Sequence, residues 1–591
     1  MDKEYYLATT GISDVWDLNK VLLMLGPWCM TNPKNWEYFK GREFLTVDPL
    51  WNSAEKVKEA NNYCYQIYCE AWPEITRVMN LIHSVNYPEK YWKVLIGPWL
   101  LHFIGVLYDR YMRVKNVRTA YPDIYTHVIE DGYDLSPENM QDFYGKIISD
   151  LYNFQLISYI CKHLCINRIG VKLDDIKKLN NGAKRKNNRK NKVLKYIANM
   201  LKKILSTITV GPVVLSDMYH LKLKDYLALS IKTKFRLIKY MIYDNEGIAS
   251  IYYSKEKRKA MAFQKDISEF ENMLFDILPW SMPKVYIEGF KSNQYKALNK
   301  NEQIEVIGSA TGWEANEEYK FYAANILANK KKISLEFQHG GGYGTSESLP
   351  VENIANEKDI FYVWGWGQNA GKKRNLPSPH LSRLKNKYCR RYNKVLFVST
   401  TQPRYHYRFS NGSMPEAHIE YLDHQKMFLN AVPDYIRRDI VYRPHMIDFG
   451  WGEGNRITIT FPEIKIIKKG KAVDLMKKVK LAIIDHPLTS FLEALAINVP
   501  TILFWDHDLY IMRPEAEKYF ELLRKSGILY KYPLEAAIKM LEVYKNPQEW
   551  WETPEVQAAR NIFLEHYGYS RKDWMDCWIK ELSSLVSKTH V

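Results

Sequence analysis

From about Lys284 onward the chain alternates short apolar runs with helical stretches, and this restricts the fold more than any other feature. Ile304–Ile307, Ile333–Phe337 and Ile360–Val363 read as strands, with a helix over Glu317–Asn329 between the first two. Each run closes on glycine: Gly308-Ser309, Gln338-His-Gly-Gly-Gly-Tyr-Gly344 and Trp364-Gly-Trp-Gly367. A polar, proline-bearing break follows at Leu376–Lys394. A second alternation then begins. Strands are expected at Val395–Ser399, Ile440–Tyr442, Leu481–Ile484 and Thr501–Phe504, and helices at Tyr421–Val432 and Ser490–Ile497. Strand–helix–strand units bring each strand back parallel to the last, so two α/β domains meeting near residues 375–394 are expected.

The first half reads differently. Tyr5–Thr10 and Val21–Leu25 resemble strands, but helical periodicity dominates from Pro49 to Cys165, with long amphipathic helices at Glu55–Trp72 and Lys90–Val114. Lys172–Asn191 has no apolar periodicity and reads as an exposed loop, and Lys192–Ile208 as a basic amphipathic helix. The expected layout is therefore a domain over 1–380, a domain over 390–553 and a helical tail over 554–591. In the first of these, an α/β core from about 1–30 and 284–375 would carry a helical insertion over about 50–283.

Charge is unevenly spread. Of a net +17, eleven basic residues and no acid fall between Lys177 and Lys203. A protein wrapped in nucleic acid would carry its charge more widely, and no zinc-finger spacing or RNA-recognition aromatic motif accompanies this stretch. A solvated face, or adhesion of 177–208 to an anionic membrane surface, explains it better. The longest apolar run, Val94–Tyr108, is interrupted by Gly97, Pro98, His102 and Gly105 and falls short of the ~20 residues a spanning helix needs. Met1–Tyr6 lacks the basic start and apolar core of a secretory signal, so a cytoplasmic location, peripheral at the inner face of the membrane, is expected. Seven cysteines are too few for a disulfide framework and have no zinc-ligand pairing. Aromatics at 14% suit large cores and sugar-stacking clefts alike.

Three constellations can carry chemistry. In Asp485-His-Pro-Leu-Thr-Ser490, a buried strand runs into the start of a helix, where hydroxyls and free backbone N–H groups make an anion site. Thr489 and Ser490 would hold a nucleotide phosphate, with His486, Pro487 and Glu493 beside it; an ordinary helix cap explains the same pattern. In the glycine turn, Gly340 and Gly341 let the backbone approach a ligand, and Gln338 and His339 can donate to phosphate or sugar oxygens. A tight turn with a surface histidine is its plainer reading. After the 440–442 strand, Arg443 can clamp a phosphate, with His445 near it, or form a structural ion pair. For a carboxylate base, Glu317 is the first candidate and Glu314 the next; His339 and Asp109 are the others, although Asp109-Arg110 also reads as a buried structural pair. No HExxH, GxSxG or Walker A motif occurs, which disfavours zinc proteases, common hydrolases and P-loop kinases, and no metal is expected.

These residues resemble a known group. Tyr6-Leu-Ala-Thr-Thr10, Leu25-Gly-Pro-Trp-Cys29, Tyr91–Trp99 with Asp109-Arg-Tyr111, the glycine turn and Trp364-Gly-Trp366 are similar to a family of transferases from bacterial surface-carbohydrate clusters, over nearly the whole chain. More distantly, His486-Pro487 and Thr489-Ser490 resemble the CMP-binding turn of GT-B glycosyltransferases that use CMP-activated Kdo or nonulosonic acids, such as capsule-linker Kdo transferases and bacterial sialyltransferases. The resemblance implies a GT-B-like fold of two Rossmann-like domains facing a cleft. The donor, a CMP-linked 3-deoxy-ulosonic acid, would lie in the second domain, and a surface-glycan or lipid-linked acceptor in the first. No separate cofactor is implied. A GT-B-fold phosphotransferase, a nucleotide-sugar epimerase, and a basic lipid- or nucleic-acid-binding protein without catalysis are the competing readings.

Overall fold

The computed structural model describes residues 4–588 apart from 32–34, 36–38, 181–199, 201–203, 242–249, 265–267, 299–303, 330, 369–370, 411 and 413. Its frame is three parallel sheets. The first holds β1 (Tyr5–Ala8), β2 (Val21–Met24), β3 (Phe44–Thr46), β4 (Tyr125–Ile129) and β5 (Asn167–Val171) in the order β3-β2-β1-β4-β5. The second holds β6 (Val213–Leu215), β7 (Ile238–Tyr240), β8 (Val306–Ser309), β9 (Ile333–Phe337), β10 (Ile360–Val363) and β11 (Lys373–Asn375), ordered β11-β10-β9-β8-β6-β7. The third holds β12 (Val395–Val398), β13 (Ile440–Arg443), β14 (Lys465–Ile466), β15 (Leu481–Ile484), β16 (Thr501–Phe504) and β17 (Leu529–Tyr530), ordered β14-β13-β12-β15-β16-β17. The central strands β8, β10, β12, β13, β15 and β16 are buried along their whole length, which is why their sequences are continuous apolar runs rather than alternating ones.

The second and third sheets form the expected GT-B-like pair of doubly wound units. In such units ligands sit beyond the carboxyl ends of strands where the strand order reverses. In the third sheet that point lies between β12 and β15, and in the second between β6 and β8.

The first half corrects the expected layout. β1 and β2 do not join the strands of residues 284–375 in one sheet; they pair with β3 and β4 in a sheet of their own. Residues 50–283 are not a purely helical insertion either, for they supply β4 and β5 to the first sheet and β6 and β7 to the second. Their sequences conceal this. β6 and β7 are three residues each, and β5 is an exposed edge strand of Asn-Arg-Ile-Gly-Val. Within the expected 172–191 loop, Leu173–Asn180 is helical. Most of the basic stretch, including Lys184–Lys186, Arg189, Lys190, Lys192, Lys195, Lys202 and Lys203, lies outside the described residues, as does most of the expected 192–208 helix.

The Val94–Tyr108 run belongs to a 32-residue helix, Glu89–Ala120, that is buried almost all round. It packs against the Ala54–Glu70 and Glu317–Leu327 helices and is the axis of the largest hydrophobic cluster. Among the described residues no helix is long and apolar enough to cross a membrane. All seven cysteines are free. The tail returns to the second sheet: Trp578 of the Trp574–Lys588 helix packs on Phe337 and Tyr362, and Glu581 pairs with Arg374.

Candidate functional site

The second and third sheets meet at the two motifs picked from the sequence. The glycine turn leaves β9 and touches the start of the Thr489–Ile497 helix, where the Gly341 N–H donates to Thr489 Oγ1 at 3.2 Å. A Cβ on Gly341 would lie 2.9 Å from the Leu488 carbonyl carbon and 3.0 Å from the Thr489 nitrogen, so only glycine permits this approach. The helix has no side-chain N-cap, because its N-cap residue is Leu488, whose apolar side chain offers no acceptor.

Beside this junction lies a cavity of about 530 Å³. Its floor is the carboxyl end of the third sheet: Val398 and Ser399 after β12, Arg443 and His445 at β13, and Ser490 and Glu493 from the helix. The second sheet supplies the opposite wall through His220, Lys222, His380 and Arg383. Arg443 is buried, donates to the backbone carbonyls of Ile467 (2.8 Å) and Gly470 (2.6 Å), and has no carboxylate partner among the described residues; burial lowers its pKa. A buried cation held only by carbonyl dipoles is an anion-binding group in waiting. Lys471 and Lys477 add positive charge at the rim, Lys477 pairing with Asp474. Glu493 is held at 2.6 Å by His380, whose ring lies 4.7 Å from that of His220. Burial, then the neighbouring His380, lowers the His220 pKa to about 4. Tyr219 and His220 are both in the left-handed region (φ 21° and 60°), so the loop after β6 holds two non-glycine residues in strained backbone at the cavity edge.

A second cavity, of about 490 Å³, opens on the same cleft. The loop after β13 divides the two, with His445 and Met446 facing the first and Ile447 and Phe449 the second. Glu314, in the Gly312–Ala315 helix five residues after the end of β8, lines it together with Tyr144, Tyr407 and Arg408. Burial raises the Glu314 pKa, but His102, His339 and Arg408 overcome this and bring it to about 2. His339 lines neither cavity: its ring is 6.2 Å from that of Tyr219, it bonds the Tyr343 hydroxyl at 3.2 Å, and burial, opposed by the charge of Glu314, lowers its pKa.

The other sequence candidates have different surroundings. Gln338 is saturated inside the turn: its amide donates to the Gly340 carbonyl at 2.8 Å, and its oxygen accepts from Trp364 N and Trp366 Nε1. It braces the glycine turn rather than facing a ligand. His486 is buried against Asp485 at 2.9 Å, and Asp485 is held by Gln425 at 2.6 Å, so this pair fixes the turn before Pro487, itself buried. Glu317 is buried at the start of its helix, paired with Lys320 (3.0 Å) and accepting from Met140 N and Tyr286 Oη; it does not reach the cleft. Asp109 is wholly buried, with Arg110, Arg113 and Trp51 Nε1 at 2.8, 2.9 and 2.6 Å. Burial raises its pKa, yet Arg113 and Arg110 hold it far below the usual carboxylate range. Both oxygens being taken, Asp109 is a structural anion and not a base. Of the two carboxylates expected near the β8 turn, Glu314 lines the second cavity and Glu317 lines neither.

Sequence reasoning missed His220, His380, Lys471 and Ser399 in the first cavity and His102, Tyr144, Tyr407 and Arg408 at the second. None belongs to a motif; His380, after Ser378-Pro379, sits in a segment that reads as an interdomain break. Among the described residues, Glu420, His424 and Asp506 bring three possible metal ligands within 4.8 Å of one another, but none lines either cavity.

The LIC12162 family transferase profile matches residues 5–582, nearly the whole chain, and the chain belongs to that family. Comparison with curated proteins finds no match. Among solved structures, the chain is similar to the crystal structure of a UDP-glucose:anthocyanidin 3-O-glucosyltransferase in complex with UDP, at 7% identity and TM-score 0.31, covering 63% of this chain and 98% of that one. It is also similar to the crystal structure of WaaG, a glycosyltransferase involved in lipopolysaccharide biosynthesis, at 10% identity and TM-score 0.28, covering 63% and 99%.

Proposed function

We propose that this LIC12162 family transferase moves a sugar from a nucleotide-activated donor, bound in the first cavity, to a hydroxyl of a surface-glycan or lipid-linked acceptor. The observation that carries the reading is the Gly341–Thr489 junction, which sets an uncapped helix start and the buried, carboxylate-free Arg443 around one cavity between facing sheets. Glycosyl transfer needs a departing phosphate to be stabilised as the sugar leaves. Arg443, Ser490, His445 and Lys471 are the groups for it, with no metal required. Glu493, fixed by His380, is placed to accept from a ribose hydroxyl. The donor we favour is a CMP-linked 3-deoxy-ulosonic acid, on the resemblance of His486-Pro487 and Thr489-Ser490 to the CMP-binding turn. The basic 177–208 stretch would hold the enzyme at anionic lipid.

Calorimetric and thermal-shift titration with CMP, CDP, UDP, GDP and ADP tests this. A ligand at 100 times its Kd adds about 2.7 kcal/mol of stability. Selective stabilisation by CMP supports the donor class. Preference for UDP or GDP discards CMP but keeps a nucleotide-sugar transferase. Binding of none of the five overturns the reading. Product analysis then separates a glycosidic bond from the phosphodiester that a phosphotransferase would make.

A further inference from the structure

The second cavity has the makings of a site in its own right. Three parts of the fold meet there: Gln141, Tyr144, Ile147 and Ile148 from beside the first sheet, Glu314 from the second, and Pro403, Tyr407, Arg408, Ile447 and Phe449 from the third. One wall is apolar and aromatic, and the other presents a carboxylate, a guanidinium and an amide. At about 490 Å³ it is the size of an ordinary small-ligand site. Behind Glu314 stands His102 of the Glu89–Ala120 helix, 1% exposed, with neither ring nitrogen hydrogen-bonded and Nε2 3.7 Å from Glu314 Oε1. A buried imidazole left without hydrogen bonds is costly unless its task is to face a charge. Tyr144 Oη completes the set at 3.4 Å from the other carboxylate oxygen. Through the 443–449 loop, which lines both, this cavity adjoins the first.

We infer that the second cavity binds the acceptor as a sugar ring, its C–H face on Tyr407 and Phe449, and that Glu314, positioned by His102, accepts the proton of the attacking hydroxyl. This rests on the proposed glycosyl transfer. The acceptor oxygen forms a bond to the anomeric carbon, the bond from that carbon to the donor phosphate breaks with its electron pair passing to the phosphate, and the acceptor proton passes to Glu314. Aromatic faces beside hydroxyl-binding groups suit a sugar, whereas a lipid alcohol has no use for the polar wall and a polyol phosphate none for the aromatic one.

Methyl β-glycosides of glucose, galactose and N-acetylglucosamine, titrated by saturation-transfer NMR on the full chain with CMP present and absent, test the site. At least one glycoside is expected to bind, and Ile148→Trp, which fills the cavity, is expected to weaken it tenfold or more while CMP titration stays unchanged. Monodeoxy analogues of the binding glycoside locate the contact: removal of one hydroxyl is expected to cost about tenfold in the parent and nothing in Glu314→Ala. In a transfer assay His102→Gln is expected to lower kcat with KM unchanged. Binding of glycerol 3-phosphate or n-octanol in place of every glycoside, glycoside binding indifferent to Ile148→Trp, or deoxy analogues that discriminate equally with Glu314→Ala, would each overturn the inference. Because Ile148 lies outside the first cavity, failure of the nucleotide titration and failure of the glycoside titration are read separately.

Discussion

The backbone N–H of Gly341 reaches Thr489 Oγ1 at 3.2 Å, and through that bond a turn following β9 of the second sheet closes on the helix following β15 of the third. Two motifs 148 residues apart thereby become one wall of one cleft. Gly341→Ala places a methyl group against the Leu488 carbonyl and the Thr489 nitrogen, both backbone and unable to step aside. The expected cost is about 1–3 kcal/mol, read as a lower midpoint in thermal denaturation, with nucleotide affinity falling alongside. Thr489→Val keeps the shape and removes only the acceptor, at about 1 kcal/mol.

Arg443 carries the second prediction. Its head group touches carbonyls and no carboxylate, so Arg443→Gln removes no ion pair from the folded protein. Nucleotide affinity should fall by about 10- to 100-fold, the worth of a charge-assisted contact, with the thermal midpoint nearly unchanged. Calorimetry on the variant decides it; equal affinity would remove Arg443 from the phosphate site.

Proton linkage gives the third. His220, at about 4, is held neutral by burial and by the neighbouring His380, with Arg383 and Lys471 pushing the same way and Asp217 opposing. An anion bound in the first cavity raises that value, so binding takes up a proton between about pH 4 and pH 6.5 and tightens as pH falls through that window. Calorimetry at pH 5.5 in buffers of different ionisation enthalpy should register the uptake, and His220→Asn should reduce it.

Acid stability gives the fourth. His406 is buried, neither ring nitrogen makes a hydrogen bond, and burial above all lowers its pKa to about 3. His83 is likewise brought to about 3, by burial and by Lys257. For a group whose folded value lies below the unfolded one, the unfolded chain binds more protons in between. The stabilisation is therefore complete above about pH 6.5 and is lost as pH falls toward 3. Each such histidine should cost about 1–2 kcal/mol by pH 5. Urea unfolding at pH 7 and pH 5 measures the slope, and His406→Phe should flatten it.

Asp109 supplies the fifth. Its two oxygens neutralise Arg110 and Arg113 in the interior, and Arg113 also pairs with Glu416 of the Pro415–Ala431 helix beside the third sheet. Asp109→Asn leaves guanidinium charge uncompensated and should cost about 3–5 kcal/mol. The transfer rate per folded molecule should not change, which separates a structural anion from a catalytic base.

Much of the second and third sheets was legible in the sequence. Ile333–Phe337, Ile360–Val363, Leu481–Ile484 and Thr501–Phe504 are the observed strands residue for residue, because a strand buried on both faces is mostly apolar, Ser334 and Glu336 in the first of them notwithstanding, and ends where a glycine or cap begins. β5 and the three-residue β6 and β7 were not legible, since an exposed edge or so short a strand leaves no run to detect. The first-sheet unit vanished with them, and its helices read as an insertion.

The same divide holds for the candidate site. Arg443, Ser490, Glu493 and the glycine turn could be found because they follow strands or begin a helix, where backbone geometry alone makes a ligand position. Which carboxylate faces the cleft is a different matter. Glu314 and Glu317 are three residues apart on either side of a helix start, and only packing turns one toward His102 at the cavity and the other inward to Lys320. His220 comes from the loop after β6 and His380 from the Pro379–Leu384 helix, and the fold brings their rings within 4.7 Å. Local sequence thus determined where strands end and helices start, since those depend on near neighbours and burial pattern. The pairing of side chains across the cleft depends on how three sheets pack, and the tertiary structure alone decided it.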